Sequence, residues 1–396
     1  MSDPTKTATP SPVQIVQQAA ADYLKISHAP GCCIAVYDEN AFGTTGYAYP
    51  LGSSGVAGSS PAPFSVTTDT VFEIGSVTKL FTATLLAVQV VAGGSFLSDN
   101  IGYWLNYNHN FSPEPVGSSI LDAIELGKFA THTSGMPDQP ENLPNYSQQL
   151  FTDQPPSHDL IEWWKNYKTV PPGCWQYSNI GFVTLGFAVT QMFPNDQGHN
   201  YNEILAQYVT GPLGMTRTGA VVDPSWPAAQ GCIGHWIKNN VPPDPVGFDN
   251  NVPTNGTAFD LKSTGDDMLH FLAAQIAPPE GSPIWLTQQS QGTYPVCGET
   301  KTPPVTMGLA WQLTKDSQGH TVLTKNGATS RGGFVAIVIV VPELSCGVAV
   351  LSNQYFDASG VHPPGIGPAV AAQKIIAQLH PGFELTEPLL PHDSSD

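Results

Sequence analysis

The sequence predicts an α/β (α+β) sandwich. An antiparallel sheet carries the two terminal helices on one face and a mainly helical region on the other side, with a cleft between. Three observations predict this. Strand-like apolar runs crowd the C-terminal quarter, at Gly308–Leu313, Thr321–Lys325, Phe334–Val341 and Gly347–Leu351. Helical periodicity marks both ends of the chain, at 12–27 and at Pro368–Leu379. The stretch from about 95 to 290 alternates short helical patterns with Pro- and Gly-rich loops and holds few clear strands. The sheet domain is therefore expected to be discontinuous, residues 1–80 with 290–396, and the helical domain to span 81–289.

Val13, Val16, Ala20 and Leu24 recur at helical spacing, and Pro30-Gly31 stops that helix. Cys32 to Tyr37 reads as a strand, Tyr47 to Tyr49 as its hairpin partner, and Leu51 to Pro63 as a loop. Ser76 to Val91 is apolar nearly all round, the mark of a buried helix. Pro342-Glu343-Leu344-Ser345 supplies a turn between the last two strands. On the final helix Ala372, Ile375, Ile376 and Leu379 share one face.

Composition narrows the function. The 396 residues hold 14 Lys and Arg against 32 Asp and Glu, a formal net charge of −18. Such a surface repels phosphate, which argues against nucleic acid and anionic membranes as partners. Charged residues are 12% of the chain, against about 25% in an average soluble protein, which suits an exported one. The longest apolar run, Phe334 to Val341, is strand-sized and far short of the ~18 residues that span a bilayer. The N-terminal Met-Ser-Asp-Pro-Thr-Lys lacks the basic-then-apolar pattern of a signal peptide, leaving a cytosolic protein or one whose signal has been removed.

Cys32, Cys33, Cys174, Cys232, Cys297 and Cys346 show no CxxC spacing and read as buried small hydrophobes. Their spacing selects no disulfide pairing. Adjacent on a strand, Cys32 and Cys33 are expected on opposite faces. The 11 histidines include no HExxH, so no metal or organic cofactor is implied. His132 reads as a polar group in a structural turn beside Thr133 and Ser134, and Trp163, Trp164 and Trp175 as core.

Three stretches carry chemistry. Ser76-Val77-Thr78-Lys79 puts a hydroxyl and an amine one helical turn apart, at a helix start whose free amides face a developing oxyanion. Serine is a poor nucleophile until a base takes its proton, and a lysine kept from full hydration can supply that function. Tyr177-Ser178-Asn179 offers a phenol for acid–base work and an amide to bridge a lysine and a substrate. Lys325-Asn326-Gly327-Ala328 ends a strand: the amine can hold a carboxylate or lower the phenol pKa, Gly327 allows close approach, and the Ala328 amide is a second oxyanion donor. Each is commonplace alone, as a capped helix, a core tyrosine or a surface turn. Their conjunction in this order is not.

Taken together, SxxK at 76–79, Tyr-x-Asn at 177–179 and Lys-x-Gly at 325–327 resemble the serine β-lactamases and penicillin-binding proteins. Within them the chain is most similar to class C β-lactamases and their esterase and D-alanyl-D-alanine peptidase relatives. Phe72-Glu73-Ile74-Gly75, Thr131-His132-Thr133-Ser134-Gly135-Met136-Pro137, Lys262-Ser263-Thr264 and Val350-Leu351-Ser352-Asn353 extend the resemblance over residues 12 to 380. It implies a β-lactamase-like fold with Ser76 as acylated nucleophile, Lys79 as its proton partner, Tyr177 as general base or acid, and Lys325 and Asn179 around them. Ser76 and Ala328 would form the oxyanion hole, and Gln139, Asn326 and Gly327 would contact substrate. The substrate is expected to be a small molecule or peptide with a scissile amide or ester, hydrolysed without a cofactor in the periplasm or outside the cell.

The departures bear on substrate. Asn326 stands where the family's KTG has a hydroxyl, and Ser330-Arg331 look inserted before Gly332-Gly333. Arg331 is the expected replacement for the lost carboxylate contact. A β-lactam amide is the first expectation, a D-Ala-D-Ala peptide or short ester the second. A protein that acylates without turnover, a penicillin-binding sensor, is the alternative outside enzymes.

Overall fold

The computed structural model describes residues 9–56, 62–107, 120–140, 158–168, 173–193, 200–221, 231–237, 244–246, 257–329, 333–356 and 367–387. The first helix, Pro12–Ser27, starts where sequence places it because its cap is complete. The Ser11 hydroxyl accepts from the Gln14 amide, the Gln14 side chain accepts from the Ser11 amide, and Pro12 sits where no amide proton is needed. It buries Ile15, Val16, Ala19, Ala20 and Tyr23. The last helix, Pro368–Leu379, buries Ala371, Ala372, Ile375 and Ile376.

The strands follow in chain order as β1 Gly31–Asp38, β2 Tyr47–Gly52, β3 Phe72–Glu73, β4 Gly234–Ile237, β5 Asp244–Val246, β6 Lys262–Ser263 and β7 Gly292–Tyr294. After these come β8 Val305–Met307, β9 Gln312–Lys315, β10 Thr321–Thr329, β11 Phe334–Val341, β12 Cys346–Ser352 and β13 Tyr355–Phe356. Eight of them form one sheet in the order β2-β1-β12-β11-β10-β9-β8-β7, every neighbour pair antiparallel. β3 pairs with β6, and β13-β4-β5 make a third small sheet.

Every residue of β1, β11 and β12 is buried, which accounts for their unbroken apolar runs: both faces of the sheet are covered. Cys32, Ile34, Val36, Ile337, Ile339 and Val341 pack with the terminal helices. Cys33, Ala35, Tyr37, Ala336, Val338 and Val340 face the second core. Cys32 and Cys33 thus point to opposite faces, as their adjacency on a strand requires. Each fully buried isoleucine among these stabilises the fold by roughly 1.5–3 kcal/mol. The helix Gly265–Ile276, capped by the Thr264 hydroxyl, lies on the second face against β1 and β12. No helix among the described residues is long and apolar enough to cross a membrane.

Two expectations need correction. Gly308–Leu313 is not one strand. Gly308–Ala310 bends between β8 and β9, with Ala310 at φ 64 and its amide donating to the Ala130 carbonyl at 2.8 Å. Other elements cover this bend: the Leu309 amide donates to the Thr287 carbonyl at 2.9 Å, and the Trp311 ring packs on Phe271. Nor are all six cysteines buried thiols. Cys32, Cys33, Cys232 and Cys346 are, whereas Cys174 and Cys297 form a disulfide across 123 residues of sequence.

At the end of the sheet where Asp38 pairs with Cys346, the His380 imidazole meets the Asp38 carboxylate at 2.5 Å. The other Asp38 oxygen accepts from the amides of Asn40 and Ala41. Among the described residues this is the one His, Cys and carboxylate group close enough to share an ion. Its hydrogen bonds already tie the last helix to β1.

Candidate active site

Ser76 does not open the buried helix directly. It lies in a 3₁₀ turn, Gly75–Val77, that runs into the helix Thr78–Val91. Three contacts fix that turn. The Ile74 amide donates to the Leu261 carbonyl at 2.9 Å, the Thr78 hydroxyl accepts from the Leu261 amide at 3.1 Å, and β3 pairs with β6 just before it. Gly75 adopts φ +51, a left-handed conformation open to glycine, and a Cβ there would collide with the Ala328 backbone. A Cβ on Gly327 would likewise strike the Ile74 carbonyl and come within 3.0 Å of the Ser76 amide. The two glycines therefore let β10 lie directly on the serine turn, which brings the backbone of Ala328 beside that of Ser76.

Lys79 is fully buried. Its ammonium donates to Ser76 Oγ at 2.9 Å, Asn179 Oδ1 at 2.7 Å and the Ala258 carbonyl at 2.9 Å. It also lies 4.9 Å from the Tyr177 ring centroid and 5.6 Å from that of Phe182. Three acceptors match the three N–H bonds of an ammonium, and aromatic faces add attraction, so a charge that would be costly alone is tolerated here. Ser76 Oγ and the Tyr177 hydroxyl stand 2.5 Å apart. One hydroxyl thus meets an amine and a phenol at once, on a residue that is buried.

The Tyr177 segment is held by a second stretch, 132–138. The Gln176 amide donates to the His132 carbonyl at 2.8 Å and the Ser178 amide to His132 Nδ1 at 3.2 Å. The Ser178 hydroxyl donates to the Pro137 carbonyl and caps the helix Asn179–Gln191 by accepting from Gly181. The amides of Asn179 and Ile180 go to the Asp138 side chain and carbonyl. Asn179, the first residue of that helix, is thereby aimed at Lys79. Tyr177 packs in a small apolar cluster with Trp175, Val305 and Met307.

The disulfide lies three residues before Tyr177. Beside it, Trp175 exchanges backbone hydrogen bonds with Pro295 and Cys297, so the phenol is anchored to the β7–β8 edge. Closing a loop of this length stabilises by about 2–5 kcal/mol. The double variant Cys174→Ser/Cys297→Ser is expected to lose that amount in urea unfolding, and to lose catalytic turnover before it unfolds. A variant as stable as the parent would show that the bridge does not form.

Lys325, in the middle of β10, places its amine 5.1 Å from the Tyr177 ring centroid. Burial holds that amine down to about 7 from its ordinary 10.5. The sign follows from proton counting. Between roughly pH 7 and 10.5 the unfolded chain carries a proton that the folded chain lacks, so stability rises with pH across that window and the penalty is complete below it. Lys325→Met is therefore expected to be more stable than the parent at pH 6, on the order of 2 kcal/mol, and to lack that slope. Urea titrations at pH 6, 8 and 10 check this, and a variant less stable than the parent at pH 6 would contradict it. Asp260 is pushed up to about 7 by burial, which outweighs nearby Lys262.

The structure brings together Ser76, Lys79, Tyr177, Asn179 and Lys325, with Asn326, Gly327 and Ala328 on the strand beside them. Gln139 is half-buried immediately after Asp138. Arg331 lies outside the described residues. Sequence reasoning missed the Ala258 carbonyl, since a backbone acceptor carries no residue signature, and Asp138, which no motif singles out. It also read His132 as a turn residue only, whereas the ring lies 4.5 Å from that of Tyr177.

The family model described as Beta-lactamase matches residues 16–364. A protein named Beta-lactamase from Lysobacter lactamgenus is 24% identical over 377 residues, spanning 87% of this chain and 88% of its own. A protein named unguisins hydrolase from Aspergillus campestris is 24% identical over 351 residues, 84% of this chain and 60% of its own. Among solved structures, a class C beta lactamase from Rhodobacter sphaeroides superposes with a TM-score of 0.68 at 21% identity, covering 92% of this chain and 99% of that one. The match to the family model runs through every element that builds the site, and the chain belongs to the Beta-lactamase family of serine hydrolases.

Proposed function

We propose that the protein hydrolyses the amide of a β-lactam through an acyl-enzyme on Ser76. The observation that carries this is the pair of hydrogen bonds at Ser76 Oγ, to the Lys79 amine at 2.9 Å and the Tyr177 phenol at 2.5 Å. Tyr177 acts as the phenolate, stabilised by the Lys79 ammonium beside it: the hydroxyl attacks the carbonyl carbon as its proton passes to the Tyr177 oxygen, which becomes the neutral phenol. The amides of Ser76 and Ala328 receive the oxyanion. Tyr177 then gives that proton to the departing nitrogen and is again the phenolate; it takes a proton from the water that attacks the acyl carbonyl and passes it to Ser76 Oγ as the acyl group leaves. Lys325, whose amine titrates near neutrality, and Asn326 and Gln139 contact the substrate beyond the scissile bond.

Asn326 favours a second reading. With no hydroxyl at this position the site is less committed to a substrate carboxylate, which suits a short neutral ester, whereas a D-Ala-D-Ala peptide would rely on Lys325 to hold its terminal carboxylate. The disulfide, its cysteines only partly buried, supports a periplasmic or secreted location, where such bridges persist. Steady-state turnover of a chromogenic cephalosporin, a p-nitrophenyl ester and a D-Ala-D-Ala peptide, measured side by side, tests the assignment. Continued cephalosporin turnover is the expected result. Ester or peptide turnover without it moves the assignment to the second reading, and a single burst without release identifies a penicillin-binding sensor.

A further inference from the structure

His132 holds the segment that carries Tyr177 at three consecutive residues. Its carbonyl accepts from the Gln176 amide at 2.8 Å, its Nδ1 accepts from the Ser178 amide at 3.2 Å, and its ring lies 4.5 Å from the Tyr177 ring between them, tilted by 32°. The ring is buried, 1% exposed, and also packs on Phe182 and Trp175. Its own backbone is left-handed, φ 58, a conformation that His and Asn accept more readily than most residues.

An Nδ1 that accepts has no proton, so a neutral ring must carry its proton on Nε2. Buried Nε2 has no hydrogen-bond partner among the described residues and is surrounded by aromatic faces. A leucine or phenylalanine would fill this space without an orphaned donor, and asparagine would suit the backbone equally well, so the imidazole is explained by Nδ1 together with the flat ring. The remaining ionisable groups facing the ring are Tyr177 itself and the amines of Lys79 and Lys325, which lie 4.9 and 5.1 Å from the Tyr177 ring centroid. Burial, then these two cations, keep the imidazole uncharged to well below its ordinary value.

We propose that His132 is a positioning residue that sets the Tyr177 phenol against Ser76, acting as a neutral acceptor at Nδ1 and a flat seat for the ring. This rests on the proton-transfer role given to Tyr177 above. Losing the acceptor frees the Ser178 amide and with it the N-cap of the Asn179 helix. The phenol then drifts from its 2.5 Å contact, and a misplacement of about 1 Å in a reacting group costs up to roughly 10²-fold.

The experiment compares His132→Phe with His132→Asn, with kcat expressed per active site titrated by the acylation burst. His132→Phe keeps an aromatic face but no acceptor, and its kcat is expected to fall about 10- to 100-fold with KM little changed. In His132→Asn the Oδ1 can stand in for Nδ1 and the left-handed backbone is retained, so kcat is expected within roughly fivefold of the parent. A His132→Phe protein of lowered melting temperature but parental kcat per titrated site would reduce His132 to a structural role and overturn the proposal. Histidine ¹⁵N NMR of the parent, with the His132→Asn protein for assignment, is independent of folding defects and of substrate. A neutral Nε2–H ring from pH 6 to 8 is expected, and an imidazolium or an Nδ1–H tautomer overturns the proposal. Failure of the parent to be labelled at Ser76 by a slowly released β-lactam or activated ester would instead overturn the acyl-serine reading.

Discussion

Ser76→Ala is expected to lower kcat by roughly 10³- to 10⁶-fold and to abolish covalent labelling by a β-lactam or an activated ester. The magnitude follows from what is lost. Lys79 and Tyr177 are both poised on one oxygen, and without it they have no proton to move. What remains is binding and whatever the amides of Ser76 and Ala328 do for attack by water. The fold is expected to survive, because the deleted atom is a single hydroxyl at the cleft and Lys79 retains Asn179 and Ala258 as acceptors. Circular dichroism and thermal melting of the variant check that the loss is chemical. Turnover within tenfold of the parent would place the nucleophile elsewhere.

Tyr177→Phe is the second large effect. It removes one oxygen and leaves the ring, with its packing against His132, Trp175 and the two lysine amines, in place. Positioned acid–base catalysis contributes about 10²- to 10⁴-fold, and kcat is expected to fall by that range with KM nearly unchanged. In the proposed mechanism both chemical steps use Tyr177: acylation to take the serine proton and deliver it to the leaving group, deacylation to take a proton from water. Stopped-flow acylation and the slow release phase should therefore both slow. A loss of less than threefold in both would assign the proton transfer to Lys79 alone. The double variant with Lys79 replaced would then add little to the single Lys79 change, because Tyr177 would carry none of the transfer.

Local patterns carried the sequence reading a long way. The helix Pro12–Ser27 was legible because Val13, Val16, Ala20 and Leu24 keep the 3.6-residue period, and the structure adds the Ser11 cap and the proline at its start. β11 was legible because a strand buried on both faces leaves a continuous apolar run with no polar interruption. Ser76 and Lys79 were legible because one helical turn fixes their relation, and the structure adds that the serine occupies a 3₁₀ turn made possible by Gly75.

What sequence could not show was long-range pairing. Nothing near Cys174 indicates Cys297 rather than any other cysteine, and the bridge exists because β7 runs beside the Tyr177 segment. The run Gly308–Leu313 looked like a strand since burial by docking and burial by pairing leave the same apolar signature. The relation of His132 to Tyr177 appears only when 132–138 and 174–180 meet, and it is written in backbone amides that no side chain announces. The site was thus readable as a set of residue types, while the supports that aim them were not.

The central claim is that Ser76 becomes covalently acylated. Mass spectrometry of the protein trapped in acid during turnover of a β-lactam or an activated ester tests it most directly, with the adduct mapped to a peptide. One acyl group per chain on the peptide containing Ser76, and none in Ser76→Ala, is the predicted result. An adduct on another residue, or equal labelling of the Ser76→Ala protein, would contradict it.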